Sequence, residues 1–290
     1  MGMPWDGNQL VHEMVFTKLK FFLGLALLSW CSACGTTFVL PEIDASSAKQ
    51  AQAMFADAQN ENVRPQLSVT AAEHRFTRVA RRVRPVAEGF CQQVMAERAN
   101  VNCSARIEID RELLERNAYF TYVDDVPVVR MTLPLLRDTR NDDEVAFVLG
   151  HEYGHLIGRH IEKQQQQQVA GALILGSIAA AANAQTAAYG GYTDPNLVNR
   201  SVELGAAVGA VAYSQTYELE SDTLGTHIAH ASGYDPIKGA RYFARPEDAR
   251  TKSGKLSFWG THPPDEKRLA TVLATHQHIE DGKSLARQAP

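Results

Sequence analysis

His151, Glu152 and His155 spell H-E-x-x-H inside LGHEYGHLIGRHIEK, Leu149 to Lys163. On an α-helix each residue turns by ~100°, so the two histidines stand ~40° apart, one turn above the other. Their imidazoles can converge on one ion, and Glu152, one step round, can reach a water there without crowding it. Zinc held by three protein groups keeps a fourth position for water and lowers the pKa of that water to ~7. The glutamate then takes the proton as the oxygen attacks a carbonyl, an order of residues suited to peptide-bond hydrolysis. Two histidines do not complete such a site, so a third ligand is required.

His160 is the nearest candidate, and its register fails. In the metzincin pattern H-E-x-x-H-x-x-G-x-x-H, Gly158 matches the glycine, but the last histidine falls on Ile161. In a continuing helix His160 lies ~140° round from His155, which predicts a surface residue near the helix C-terminus. The alternative is a carboxylate on another helix, and YELESD (Tyr217 to Asp222) offers Glu218 and Glu220. Glu218 and Asp222 share a face, with Glu220 on the opposite side. Extended, that face reads Val211, Ser214, Glu218, Asp222, Gly225 and Ala229, mostly small side chains that permit close approach. The H-E-x-x-H helix has a matching stripe, Gly150, Gly154 and Gly158, costly at ~1 kcal/mol each unless another element lies against it. Glu218 is therefore expected as the third ligand. Asp222, one turn on, can accept the free N–H of a ligand histidine. His262, in WGTHPPD, sits where the chain is loose before it (Gly260) and stiff after it (Pro263–Pro264). It reads as a reversible fourth ligand or as a hydrogen-bond donor to the oxyanion of the reaction.

The elements that hold these residues follow from periodicity. The motif helix starts near Asp142, with Asp143 and Glu144 in its first turn, and runs on into the glutamines 164–168 as a solvated face. Val169 to Ala182 is almost wholly apolar but short of the roughly 20 residues of a span, which predicts a packed helix. A loop over Tyr189 to Asn196 precedes a long helix from about Val202 to Ala231, stopped by Gly233, and Asp235–Pro236 starts another. The tail from about Pro263 reads as a polar helix. Upstream, Phe76, Val79, Val83, Val86 and Phe90 mark a helix from Thr70 to about Ala99. A strand at Ala105 to Ile109 is followed by a hairpin, Asn117 to Tyr122 and Val126 to Met131, turning at Asp124–Asp125. Pro134 to Arg137 reads as a short helix. The fold expected is α+β, mainly helical, with a small sheet beside the H-E-x-x-H helix.

With 290 residues, 44% of them hydrophobic, the chain can bury a core, and its net charge of -4 is spread without a basic block, which excludes nucleic acid as a partner. Lys18 and Lys20 precede the apolar run Phe21 to Trp30 and then CSACG, a bacterial secretory signal. Asp6 and Glu13 fit a signal poorly, which places the true start at Met14. CSAC resembles a lipoprotein cleavage box with Cys34 as the lipidated residue, although Cys31 stands where leucine is usual; plain secretion is the alternative. Gly35 after the cysteine points to the outer membrane, the acyl chains tethering the protein from the periplasm without a spanning helix. Cys91 and Cys103 remain, an even pair in an oxidising compartment, expected as a disulfide. The expected organisation is a signal at 1–33, a tether at 34–68, a metallopeptidase domain at 69–280 and a tail at 281–290.

NDDEVAFVLGHEYGHLIGRH, YELESD followed by LGTHIAHASGYDP, and WGTHPPDEKRL together resemble the HtpX/BepA/LoiP-like zinc metallopeptidases, the family that includes the CAAX prenyl proteases. The resemblance runs from about Asn117 to Leu269. It implies a gluzincin-like fold with one zinc on His151, His155 and Glu218, Glu152 as base and Asp222 as supporting acid or proton donor. It also implies an edge strand at Asn117 to Phe120 along which a substrate backbone pairs, and a His262 that reaches the zinc and displaces water. Polypeptides are the implied substrates, misfolded or envelope proteins acted on in quality control. A binding or assembly factor with a latent peptidase site, working with envelope assembly machinery, is the competing reading.

Overall fold

Residues 35–62, 65–96, 101–209, 214–245 and 257–288 are described by the computed structural model, the side chains of 205–209 excepted. The expected signal segment, Met14 and Cys34 lie outside them. In chain order the elements are α1 (Ala45–Gln59), α2 (Val69–Val94), β1 (Arg106–Asp110), β2 (Ala118–Val123), β3 (Val126–Thr132) and α3 (Leu133–Asp138). Then follow α4 (Asp142–Gly158), α5 (His160–Ala188), α6 (Leu197–Gly209), α7 (Gln215–Ala231) and α8 (Pro236–Ala240). A 3-10 turn (Arg241–Ala244), α9 (Phe258–Thr261) and α10 (Glu266–Glu280) complete the elements of the described residues. The architecture is α+β and mainly helical, as the sequence implied.

α4, the motif helix, is the axis of the molecule. Its residues from Glu144 to Gly158 are all buried. A helix buried on every side needs neighbours on every side, and α2, α7, α8 and β2 supply them. Asn141 caps it, its side chain accepting from the Glu144 N–H at 2.9 Å, so Asp142 opens the first turn instead of capping it. The sheet has strand order β1-β3-β2, β1 parallel and β2 antiparallel to β3. Val123 pairs with Val126 across a two-residue turn in which Asp124 and Asp125 have φ of 51° and 61°, the left-handed pair a type I′ hairpin requires. β2 is an outer strand of this sheet. A disulfide joins Cys91 of α2 to Cys103 just before β1, with Cα atoms 5.7 Å apart.

Several expectations are corrected. The motif helix does not run into the glutamines: Arg159 takes φ 56°, ψ 44°, ending α4 in a left-handed cap, and α5 starts afresh at His160. The helix expected over 202–231 is two helices, α6 and α7, the second capped by Ser214. α5 and α6 pack on each other, yet Val169, Leu173, Ile174 and Ile178 of α5 are exposed, so this apolar stretch is not sunk in the core. α5 is long and apolar enough to cross a membrane by length and composition. The stretch 34–68 is folded onto the domain where it is described. α1 lies against α10 with Ala51 and Ala58 fully buried, methyl groups small enough for close contact and too few to signal amphipathicity. Phe38 bridges to Arg287, and the Gln288 N–H reaches the Thr37 carbonyl at 3.0 Å, so the described part of the stretch expected as a tail closes on Thr37–Phe38. α10, read as polar, buries Leu269, Val272, Leu273 and, unexpectedly, Arg268.

Candidate active site

The site lies where α4 crosses α7 at very short range. A Cβ on Gly154 would sit 2.8 Å from Ser221 Cα and 2.9 Å from Ser221 O, closer than real contacts allow. Only hydrogen fits there, and this approach lets the short Glu218 side chain reach the two imidazoles of α4. His151, His155 and Glu218 are at most 2% exposed. With His262 they form one cluster, one ligand atom from each lying within 4.8 Å of all the others.

The separations within the cluster suit a small ion. Nε2 of His151 is 3.1 Å from Nε2 of His155 and 3.4 Å from Glu218 Oε2, and Nε2 of His155 is 3.6 Å from Glu218 Oε1. Nδ1 of His262 lies 3.2 Å from His151 Nε2 and 3.0 Å from Glu218 Oε2. A tetrahedron with ligand bonds of 2.0–2.1 Å has edges of about 3.3 Å, in the middle of these values. Glu152 supplies a second indication. It is fully buried, and neither carboxylate oxygen accepts a hydrogen bond from the described residues, although Oε1 is 3.3 Å from His262 Nε2. A buried carboxyl without a hydrogen-bond partner is costly and points to a group that the reaction itself provides. The donor set and its spacing fit a metal such as zinc.

Charge is arranged around the ligand atoms. Burial pulls the His151 imidazolium down, but Asp222 and Glu218 outweigh it and bring its pKa up to about 9. Burial holds His155 well below its ordinary value despite the pull of Glu218. Burial alone would raise Glu218, yet the charges of His262 and Arg268 hold it well below the usual carboxylate range. Burial drives Glu152 up against the opposing charges of His262 and His151, which favours a protonatable carboxyl. Asp222 meets His151 Nδ1 at 2.8 Å, the contact expected of it.

Arg268 is the residue the sequence reading missed. From α10 its Nε and Nη2 donate to the two oxygens of Asp222, each at 2.7 Å, its Nη1 is 3.3 Å from Glu218, and its guanidinium stacks 4.1 Å from the Phe243 ring centroid. Its place four residues beyond Pro264 in a run of charges gave no sign that it would be buried. His160 is a correction. His160 is fully buried, its Nδ1 2.9 Å from Nδ1 of His155, because the left-handed Arg159 breaks the helix and swings the ring back. Glu220, expected on the far side of α7, is also fully buried, its Oε2 2.8 Å from Nε2 of His160.

Helices joined at an H-E-x-x-H motif, with a glutamate brought from a second helix, define the metallopeptidase class that the sequence resembled. The match is specific: the peptidase family M48 pattern covers residues 73–276, and the chain belongs to that family. That family is one of peptidases. The beta-barrel assembly-enhancing protease of Yersinia pestis is 30% identical over 142 residues, 47% of this chain and 28% of that protein. The mitochondrial metalloendopeptidase OMA1 of Arabidopsis thaliana is 28% identical over 160 residues, 53% of this chain and 28% of its own length. The chain thus spans under a third of these curated relatives.

Proposed function

We propose that this chain is a zinc-dependent endopeptidase of the bacterial cell envelope that cleaves misfolded or envelope proteins. The observation that carries the reading is the buried cluster of His151, His155 and Glu218 beside a Glu152 whose oxygens accept no hydrogen bond from the described residues. In this reading those three side chains hold one zinc, which when bound polarises a peptide carbonyl and acidifies water. Glu152 takes a proton from the attacking water and passes it to the leaving amine. Asp222 holds His151 in the tautomer that frees Nε2, and Arg268 keeps Asp222 ionised beside it. A substrate strand pairs with the outer edge of β2, beside which no strand of the described residues lies.

The cell-envelope part rests on the signal-like segment, on Cys34 as a lipid anchor and on the exposed apolar face of α5. The relatives named for β-barrel assembly favour partners in the envelope assembly machinery. Glu152→Gln tests the enzyme: casein digestion should be lost while zinc stays bound. Digestion that survives in this variant, or in chelator-treated wild type, refutes the reading. A second reading, a client-binding factor with a latent site, is favoured by Nδ1 of His262 standing within 3.2 Å of both His151 and Glu218. His262→Ala raises basal proteolysis if the residue blocks the site, and lowers it by ~10²-fold if it donates to the oxyanion.

A further inference from the structure

We infer that His160 and Glu220 are positioning residues that fix the tautomer of His155, and that the segment Thr37–Phe38 holds this pair in place; the inference rests on the proposed role of His155 as a ligand. Nδ1 of His155 faces Nδ1 of His160 at 2.9 Å, and Nε2 of His160 faces Glu220 Oε2 at 2.8 Å. A carboxylate accepts only, so His160 carries its proton on Nε2 and presents Nδ1 as an acceptor. His155 must then carry its proton on Nδ1, which leaves Nε2 bare toward His151 and Glu218. Nδ1 of His151 meets a carboxylate directly, at Asp222; Nδ1 of His155 meets one through an intervening ring.

The arrangement is built. Gly158 makes room for the ring, since a Cβ there would lie 2.3 Å from His160 Nε2. Tyr217 stacks on the other face, with centroids 4.5 Å apart and planes 11° from parallel. The far oxygen of Glu220, Oε1, accepts the backbone N–H groups of Thr37 at 2.5 Å and Phe38 at 2.7 Å, and Lys163 stands 3.6 Å from Oε2. Two backbone donors and a cation thus surround the fully buried Glu220 side chain. The segment Thr37–Phe38 therefore closes the network that ends at His155.

Glu220→Gln inverts this logic with almost no change of shape. The amide oxygen still accepts from Thr37 and Phe38, but the amide nitrogen now donates to His160 Nε2. The His160 proton moves to Nδ1, and His155 must shift its own to Nε2, the atom facing the ion. Nitrogen-15 NMR of the metal-free full chain should find His155 protonated on Nδ1 in the wild type and on Nε2 in the variant. Zinc affinity, read by competition with a chromophoric chelator, should fall about 10- to 100-fold, as for other partners behind a ligand histidine. His160→Phe, which keeps the stack on Tyr217, should weaken zinc to the same extent, and the double variant no further. An unchanged His155 tautomer, or zinc affinity within twofold of wild type in either variant, overturns the inference. Glu218→Gln separates the two readings: if it too leaves zinc affinity unchanged, the assignment of the metal site has failed, whereas weakening there alone rejects only the positioning role.

Discussion

Replacing Arg268 by methionine removes a charge from one of the least accessible places in the molecule while keeping much of the side-chain volume. Arg268 is 2% exposed, and its two short hydrogen bonds to Asp222 are joined by the nearby Glu218 carboxylate. Without it, two buried carboxylates face each other with only the histidines between them. Breaking a buried pair from one side costs about 3–5 kcal/mol, because the remaining charge has lost water as well as its partner. At roughly 2–4 °C per kcal/mol for a domain of this size, the chelated protein should melt about 6 to 20 °C lower. Arg78→Gln is the control. It breaks a doubly hydrogen-bonded pair with Asp142, but Arg78 is 54% exposed, and such pairs contribute at most about 1 kcal/mol. Adding Asp222→Asn to Arg268→Met removes the stranded charge and should restore part of the loss. Zinc should restore more in the Arg268 variant than in the wild type, since it neutralises the cluster from the other side. Thermal unfolding of chelated protein at neutral pH decides the matter: an Arg268→Met variant no less stable than Arg78→Gln would refute the argument.

His227, stacked 5.6 Å from Phe90, is pushed down to a pKa of about 4 by burial, with His230 and His278 adding to it. The unfolded chain therefore binds this proton first, and stability is lost as pH falls from about 6.5 through 4, by up to about 3 kcal/mol. His227→Phe should flatten the acid limb of a stability-against-pH curve measured by urea unfolding, and an unchanged limb would count against the burial argument. Replacing Cys91 and Cys103 together by serine opens a loop of sequence separation 12 and should cost about 3 kcal/mol in the chain-entropy model, read as a lower denaturation midpoint. The same midpoint with and without reductant in the wild type would contradict it.

Much of the site could be read along the chain because helices report themselves locally. His151, Glu152 and His155 share one helical face by spacing alone, and the glycine stripe of α4 announced a close neighbour before any neighbour was visible. The alternation in β2 and β3, with two aspartates between them, defined the hairpin, since a two-residue turn depends on its own φ angles. Tertiary structure decided what turned on a single backbone torsion or on packing at long range. Arg159 in the left-handed region reverses the reading of His160, and no residue type at 159 advertises it, because the conformation is held by the elements on either side. Glu220 lies on the side of α7 opposite Glu218, yet both are buried, because Thr37–Phe38 and α5 cover that second face. Arg268 is one charge among several in its sequence, and only the fold of α10 onto α7 turns it into the counter-ion of two buried acids. Periodicity shows which face of a helix is suited to burial, but the partner that covers it comes from distant parts of the chain and leaves no local trace.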